Sequence, residues 1–86
     1  MMYVYVIRSE KDGRFYVGMS GNVEKRVKEH TNGRTKSTKG YTPWKLFFFE
    51  EHANRLIARK REKYLKSGFG KAWIKEKYKR THSSVG

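Results

Sequence analysis

The chain has 86 residues, no cysteine, and twenty-one Lys and Arg against eight Asp and Glu, for a formal net charge of +13. That length suits one domain rather than two, and without cysteine neither disulfides nor thiolate metal ligands reinforce its small core. A compact state so charged repels itself, which points to a polyanionic partner, nucleic acid ahead of an anionic membrane surface.

The first element is a hairpin. Tyr3-Val4-Tyr5-Val6-Ile7 and Tyr16-Val17-Gly18 are rich in β-branched and aromatic residues, which suit strands. Glu10-Lys11-Asp12-Gly13 lies between them, and Asp-Gly is a strong hairpin signal. A two-residue turn at Asp12-Gly13 and a four-residue loop from Glu10 to Gly13 both put Tyr5, Tyr16 and Gly18 on one face. The longer loop is preferred. It sets Gly18 opposite Tyr5 and makes Tyr5 and Tyr16 diagonal neighbours. A glycine inside a strand weakens it unless something approaches closely. Two phenols beside a bare patch of backbone suit a small reaction site, although tyrosines in a small sheet more often simply pack.

Ser20-Gly21-Asn22 reads as a turn with Asn22 as N-cap, followed by a helix from Val23 to Thr31 that stops at Asn32-Gly33. Val23 and Val27 mark its buried stripe, and helical spacing adds Arg26 and His30. Lys25, Lys28 and Glu29 are free to point to solvent. Arg34 to Thr42 has no periodicity and reads as a mobile basic loop. Its Lys36 and Lys39 suit contact with a phosphate backbone, and a solvated connector fits equally well. Tyr41 and Trp44 could stack a base, but Trp44 fits better in the core beside Pro43. Leu46-Phe47-Phe48-Phe49 is the third strand, ended by Glu50-Glu51-His52. Four apolar residues in a row imply burial on both faces or a central place in the sheet.

Asn54 caps a second helix running to Lys66, with Gly68 after it. Ala53, Ile57, Ala58, Tyr64 and Leu65 form its expected apolar stripe. Glu62 lies on the flank of that stripe, and Arg61 lies nearer its centre. Arg59, Lys60, Arg61, Lys63 and Lys66 surround Glu62, so the residues alone read it as a helix salt-bridge partner. Ala72 to Tyr78 forms a last short helix, with Trp73, Ile74 and Tyr78 covering the core and Lys71, Lys75, Lys77 and Lys79 on a basic outer face. Residues 81–86 read as a polar tail beyond a domain spanning 1–80. The expected fold class is therefore α+β, a three-stranded antiparallel sheet with flanking helices in the order β-β-α-β-α-α.

The tripeptides Tyr3-Val4-Tyr5 and Tyr16-Val17-Gly18, at this separation, resemble the signature of the GIY-YIG nuclease family. Tyr3 and Val4 replace Gly and Ile in the first tripeptide, and Val17 replaces Ile in the second. The two tyrosines that matter, Tyr5 and Tyr16, are kept. The resemblance continues through Glu24-Lys25-Arg26-Val27-Lys28-Glu29-His30 and through Glu62-Lys63-Tyr64-Leu65-Lys66, so it covers the chain from Tyr3 to Tyr78. Small stand-alone members are the nearest kin.

What the resemblance implies is metal-dependent hydrolysis of a nucleic-acid phosphodiester, DNA before RNA. Five positions carry that chemistry: Tyr5, Tyr16, Arg26, His30 and Glu62. Tyr16 takes a proton from water, and Tyr5 bonds that water or orients Tyr16. Arg26 holds the non-bridging oxygens with its planar fork. His30 orients Tyr16 or relays its proton. Glu62 holds one Mg or Mn ion. Gly18, Lys36, Lys39 and Arg59 are expected to contact the nucleic acid. The alternative is a basic module on the same fold that grips DNA or RNA and cuts nothing. Family members that recognise sequence usually carry a second DNA-binding domain, for which this length has no room, so a protein partner supplying target specificity stays open. No apolar run reaches the ~18 residues of a membrane span. The N-terminus reads as a strand rather than a signal peptide, so a cytoplasmic location is expected.

Overall fold

The computed structural model describes residues 1–81. The polar tail expected at residues 81–86 lies outside the described residues except for Thr81, which is helical. Three strands, β1 (Met2–Ser9), β2 (Phe15–Ser20) and β3 (Trp44–His52), form an antiparallel sheet in the order β2-β1-β3. Three helices, α1 (Val23–Thr31), α2 (Arg55–Lys66) and α3 (Gly68–Thr81), flank it. The expected fold class and element order are those observed.

The hairpin forms with the four-residue loop. Ser9 N–H donates to the Arg14 carbonyl at 2.8 Å, closing the pair around Glu10–Gly13. The buried Ser9 hydroxyl accepts from the Lys11 and Asp12 amides at 3.0 and 3.3 Å, so the turn is tied to its own strand. The register sets Tyr5 opposite Gly18 and Ile7 opposite Tyr16, as the loop length requires.

β1 is the central strand, and its alternation builds two cores. Val4 and Val6 face α2 and α3 and pack with Val17, Ala58, Leu65 and Ile74. Tyr5 and Ile7 face α1 and pack with Trp44, Tyr16, Val23 and Val27. A strand buried on both faces between two layers suits this continuous apolar run. The third strand departs from its expectation. β3 lies at the sheet edge, and a bulge opposite Val6 and Ile7 interrupts its register. Phe47 and Phe48 pack on the α2/α3 core, whereas Leu46 and Phe49 stay exposed. The bulge thus splits the apolar run between the faces instead of burying it whole.

α1 begins and ends where expected. The Asn22 side chain accepts from Lys25 N–H at 3.1 Å. At the other end Arg34 N–H reaches the Glu29 carbonyl and Gly33 N–H the His30 carbonyl, a Schellman closure. α2 touches the core along a narrower line than its composition implies. Ala58 and Leu65 are buried, but Ile57 and Tyr64 are exposed, and Ala53 precedes the helix. Between Ala58 and Leu65, Arg61 turns inward to a bidentate bond with Glu50, at 2.9 and 3.0 Å.

α3 starts four residues earlier than expected, at Gly68 rather than Ala72. Ser67 makes the junction: its hydroxyl donates to the Tyr64 carbonyl at 2.6 Å and accepts from Gly70 N–H at 3.2 Å. One side chain therefore closes α2 and caps α3, which the Gly68 stop signal conceals. Ile74 is buried and Tyr78 packs edge-on to Phe15 and Phe47, but Trp73 stays partly exposed. Lys77 leaves the basic outer face to lie over the Phe48 and Trp73 rings.

Gly70 is where the two helices touch. A Cβ there would overlap the Tyr64 carbonyl oxygen and the Leu65 backbone, neither of which can swing away. Gly70→Ala should destabilise the fold by about 1–3 kcal/mol, the usual cost of overpacking. Gly68→Ala, with open space around it, should not. Thermal melts of both variants check this, and a Gly70→Ala Tm equal to wild type would contradict the close crossing.

Candidate active site

The α1 face of the sheet carries four of the five expected site residues, and Glu62 comes from α2. Tyr5 comes from the central strand, Tyr16 from β2, and Arg26 and His30 from successive turns of α1. Gly18 is what lets Tyr5 lie flat. A Cβ at Gly18 would collide with the Tyr5 phenol ring and hydroxyl. The bare patch expected there is therefore filled by Tyr5 itself, and Gly18 is buried rather than offered to a ligand.

Tyr5 is only 1% exposed, and its hydroxyl is fully engaged. It lies 2.8 Å from His30 Nε2, and the positive Arg26 guanidinium is near enough to act on it. Burial pushes its phenol up to about 12, against the lowering effect of Arg26 and with smaller raising effects from Tyr16 and Glu62. A phenol so raised stays protonated and is a poor base. Tyr16 differs. It is half-buried, and among the described residues its hydroxyl makes no hydrogen bond. Its ring packs against His30 at 5.0 Å and Trp44 at 6.3 Å between centroids, and the Lys66 ammonium lies 5.9 Å from its own centroid.

His30 departs from the role expected of it. Both ring nitrogens are taken, Nε2 by Tyr5 and Nδ1 by Thr38 Oγ1 at 2.7 Å. It therefore bonds Tyr5 and not Tyr16, and it has no free nitrogen with which to relay the Tyr16 proton. Thr38 belongs to the stretch that reads as a mobile basic loop. Instead it is buried, a short 3-10 turn spans Lys39–Tyr41, and Trp44 Nε1–H donates to the Thr38 carbonyl at 2.9 Å. Lys36 and Lys39 stay exposed on either side of it. Neither aromatic of this region is free to stack a base. Trp44 is in the core, and the Arg14 guanidinium covers the Tyr41 ring at 3.6 Å.

Two partners escape the sequence reading. Thr38 has no signal, being one hydroxyl in a polar run. Glu29 has one in its spacing, because Arg26 and Glu29 are one helical turn apart. Rather than pointing to solvent, Glu29 Oε1 accepts from Arg26 Nη1 at 2.9 Å. That bond holds the Glu29 carboxyl below its ordinary value. Arg26 has five N–H donors, so the bond to Glu29 leaves others open.

Glu62 stands on the inner flank of α2. Its side chain is 13% exposed, and its oxygens are approached by Arg59 Nε at 3.8 Å and Lys66 Nζ at 3.2 Å. Both cations ride on long, largely exposed side chains that can swing aside. Among the described residues no three His, Cys, Asp or Glu side chains gather to hold a metal. One carboxylate suits Mg, which keeps waters and takes substrate oxygens, and does not suit a metal needing a protein cage. Beside Tyr16 a cleft opens between the hairpin and the two C-terminal helices, with Arg14, Lys66, Lys71 and Lys75 along it.

The family model described as the GIY-YIG catalytic domain matches residues 1–80. The chain belongs to the GIY-YIG family, a family of nucleases. It is 45% identical over 67 residues to a UPF0213 protein of Clostridium perfringens, covering 77% of this chain and 71% of that one. A UPF0213 protein of Haloquadratum walsbyi is 41% identical over 66 residues, covering 76% and 73%. The solution NMR structure of a UPF0213 protein from Bacillus halodurans superposes with a TM-score of 0.55 at 27% identity, over 99% of this chain and 98% of that one. GIY-YIG membership brings an association with nucleic acid, and among the described residues no helix is long and apolar enough to cross a membrane.

Burial of His30 has a consequence for stability. Desolvation first, and the Arg26 charge second, push its imidazole from 6.5 down to about 4, against a smaller opposing effect of Glu29. Between those values the unfolded chain binds a proton that the folded chain refuses. Stability from the neutral imidazole should therefore be complete above about pH 6.5 and be lost as pH falls toward about 4, on the order of 3 kcal/mol in all. Denaturant unfolding of wild type and His30→Gln across that range checks this. The difference between the two should shrink as pH falls, and a constant difference would contradict it.

Proposed function

We propose that the protein hydrolyses nucleic-acid phosphodiesters with the help of one divalent ion, Mg or Mn, with DNA as the first substrate to test. The observation that supports this reading best is the contrast between the two tyrosines. Tyr5 is buried, held by His30 and kept protonated, whereas among the described residues the Tyr16 hydroxyl is uncommitted and reachable. One phenol is thus fixed as a support and the other is left for proton transfer.

In this reading Tyr16 takes the proton from the attacking water. Arg26, steadied by Tyr5 and Glu29, binds the non-bridging oxygens as charge spreads over them. His30 acts on Arg26 through Tyr5. Glu62 would hold the divalent ion, which stabilises charge on the leaving oxygen when bound. The lysines and arginine along the cleft beside Tyr16, with Arg59, Lys36 and Lys39, neutralise flanking phosphates. Contacts of that kind carry little sequence preference, so a protein partner would be needed to supply a target.

One observation favours the non-cutting alternative. Glu62 sits between Arg59 and Lys66 as an ordinary helix ion pair. Glu62→Gln separates the two readings. If Glu62 holds the ion, Mg-dependent nicking should fall to near background while DNA affinity holds or rises. If it is only an ion pair, stability should drop by a few tenths of a kcal/mol, as for a helix pair, with nicking unchanged.

Tyr16→Phe should leave Tm unchanged, because no hydrogen bond is lost, and slow nicking about a hundredfold or more. Tyr5→Phe should behave differently. It strips a partner from buried His30, so it should cost about 1–3 kcal/mol of stability along with activity. Nicking assays and melts on both variants test this, and a Tyr16→Phe protein that nicks at the wild-type rate would remove Tyr16 from the chemistry.

A further inference from the structure

Three buried groups from three parts of the chain form one hydrogen-bonded line, Tyr5, His30 and Thr38, with the partly exposed Arg26 guanidinium near its Tyr5 end. Hydrogen positions along it follow from the end that has no choice. A carbonyl can only accept. The Thr38 hydrogen goes to the Thr35 carbonyl at 3.4 Å, so the Thr38 oxygen is left to accept from His30 Nδ1 at 2.7 Å. The imidazole then carries its hydrogen on Nδ1, and the bare Nε2 accepts the Tyr5 hydroxyl hydrogen at 2.8 Å. Every hydrogen then has an acceptor. With the opposite tautomer Nε2 donates to the Tyr5 oxygen, and the Tyr5 hydrogen, in a group 1% exposed, has no acceptor among the described residues. A buried donor without an acceptor is the costlier arrangement.

We infer that Thr38 is a positioning residue: its hydroxyl accepts the His30 Nδ1 hydrogen, fixes the imidazole tautomer, and through Tyr5 holds Arg26 in the orientation used on the phosphate. The last link rests on the proposed nuclease reading, and the tautomer does not. Thr38 is placed for this with little freedom. It is itself 1% exposed, its amide donates to the Thr35 carbonyl at 3.1 Å, and its carbonyl accepts from Trp44. The short turn after α1 therefore acts as a second wall of the site, supplying the acceptor that α1 and the sheet lack.

The test begins with the wild-type protein. NMR of isotope-labelled imidazole nitrogens at neutral pH should show His30 with a protonated Nδ1 and a bare Nε2. Thr38→Val, which keeps the shape and removes the hydroxyl, should lose that preference and slow Mg-dependent nicking about tenfold, the scale of one neutral hydrogen bond. Thr38→Ser should restore both. A wild-type His30 protonated on Nε2 overturns the inference, even if Thr38→Val does not fold. So does a folded Thr38→Val with unchanged nitrogen shifts. The spectrum needs no substrate, so a protein that nicks nothing would defeat the nuclease reading while the tautomer still decides the role of Thr38.

Discussion

The site depends on keeping one phenol and one imidazole neutral in a dry place. Tyr5 and His30 are both essentially without solvent, and each is shifted toward its uncharged form, Tyr5 upward and His30 downward. Burial alone would make both groups costly. Their mutual bond, with Arg26 at one end and Thr38 at the other, satisfies them. Once that line is fixed, other features follow. Gly18 must lack a side chain, because the Tyr5 ring crosses it. The segment before β3 must fold back over α1, because Thr38 has to reach His30. α1 must present Arg26 and His30 one turn apart on its inner flank.

The rest of the sheet serves this arrangement by supporting it from behind. Val4 and Val6 alternate with Tyr5 and Ile7 along β1, so the polar line on one face is backed by an apolar core on the other. α2 and α3 close that core with few buried side chains, chiefly Ala58, Leu65 and Ile74. Aromatic edges and stacked cations complete it, including Arg8 over Tyr78 and Arg61 over Trp73. In so basic a chain, laying cations on rings and pairing Arg61 with Glu50 lets long side chains cover apolar surface that a small core leaves open.

Local structure was legible from sequence wherever a residue acts on its own neighbourhood. The Asn22 and Asn54 caps, the Gly33 stop and the four-residue hairpin loop each follow from one or two residues. The hairpin loop then fixed the Tyr5–Gly18 register without further information. What failed was relational. Nothing in Leu46–Phe49 says which strand will be its neighbour, so its edge position and bulge could not be read. Ile57 and Tyr64 sit at helical spacing from buried positions, but α2 meets the sheet along too narrow a line to cover them. Thr38 is indistinguishable from the other hydroxyls between Arg34 and Thr42 until His30 is opposite it. Glu62 by periodicity alone is an ion-pair residue, and only the family resemblance separates it from the other charges on α2.

The distribution of commitments within the site bears on how it could work. Tyr5, His30 and Thr38 are buried and mutually satisfied, so they cannot move toward a substrate without breaking bonds that hold the fold. Tyr16, Arg26 and Glu62 lie at the boundary with solvent, and among the described residues each keeps capacity in reserve: a hydroxyl without a hydrogen bond, unused guanidinium donors, and a carboxylate paired with two cations on exposed side chains. Rigid groups therefore stand behind and adaptable groups in front, the arrangement that on the proposed nuclease reading would let a small surface site hold a reacting phosphate without a deep pocket. On that reading dense positive charge would compensate for the shallowness: it would draw a polyanion to the whole surface by counterion release, and the local geometry would have only to select which phosphate meets Tyr16 and Arg26.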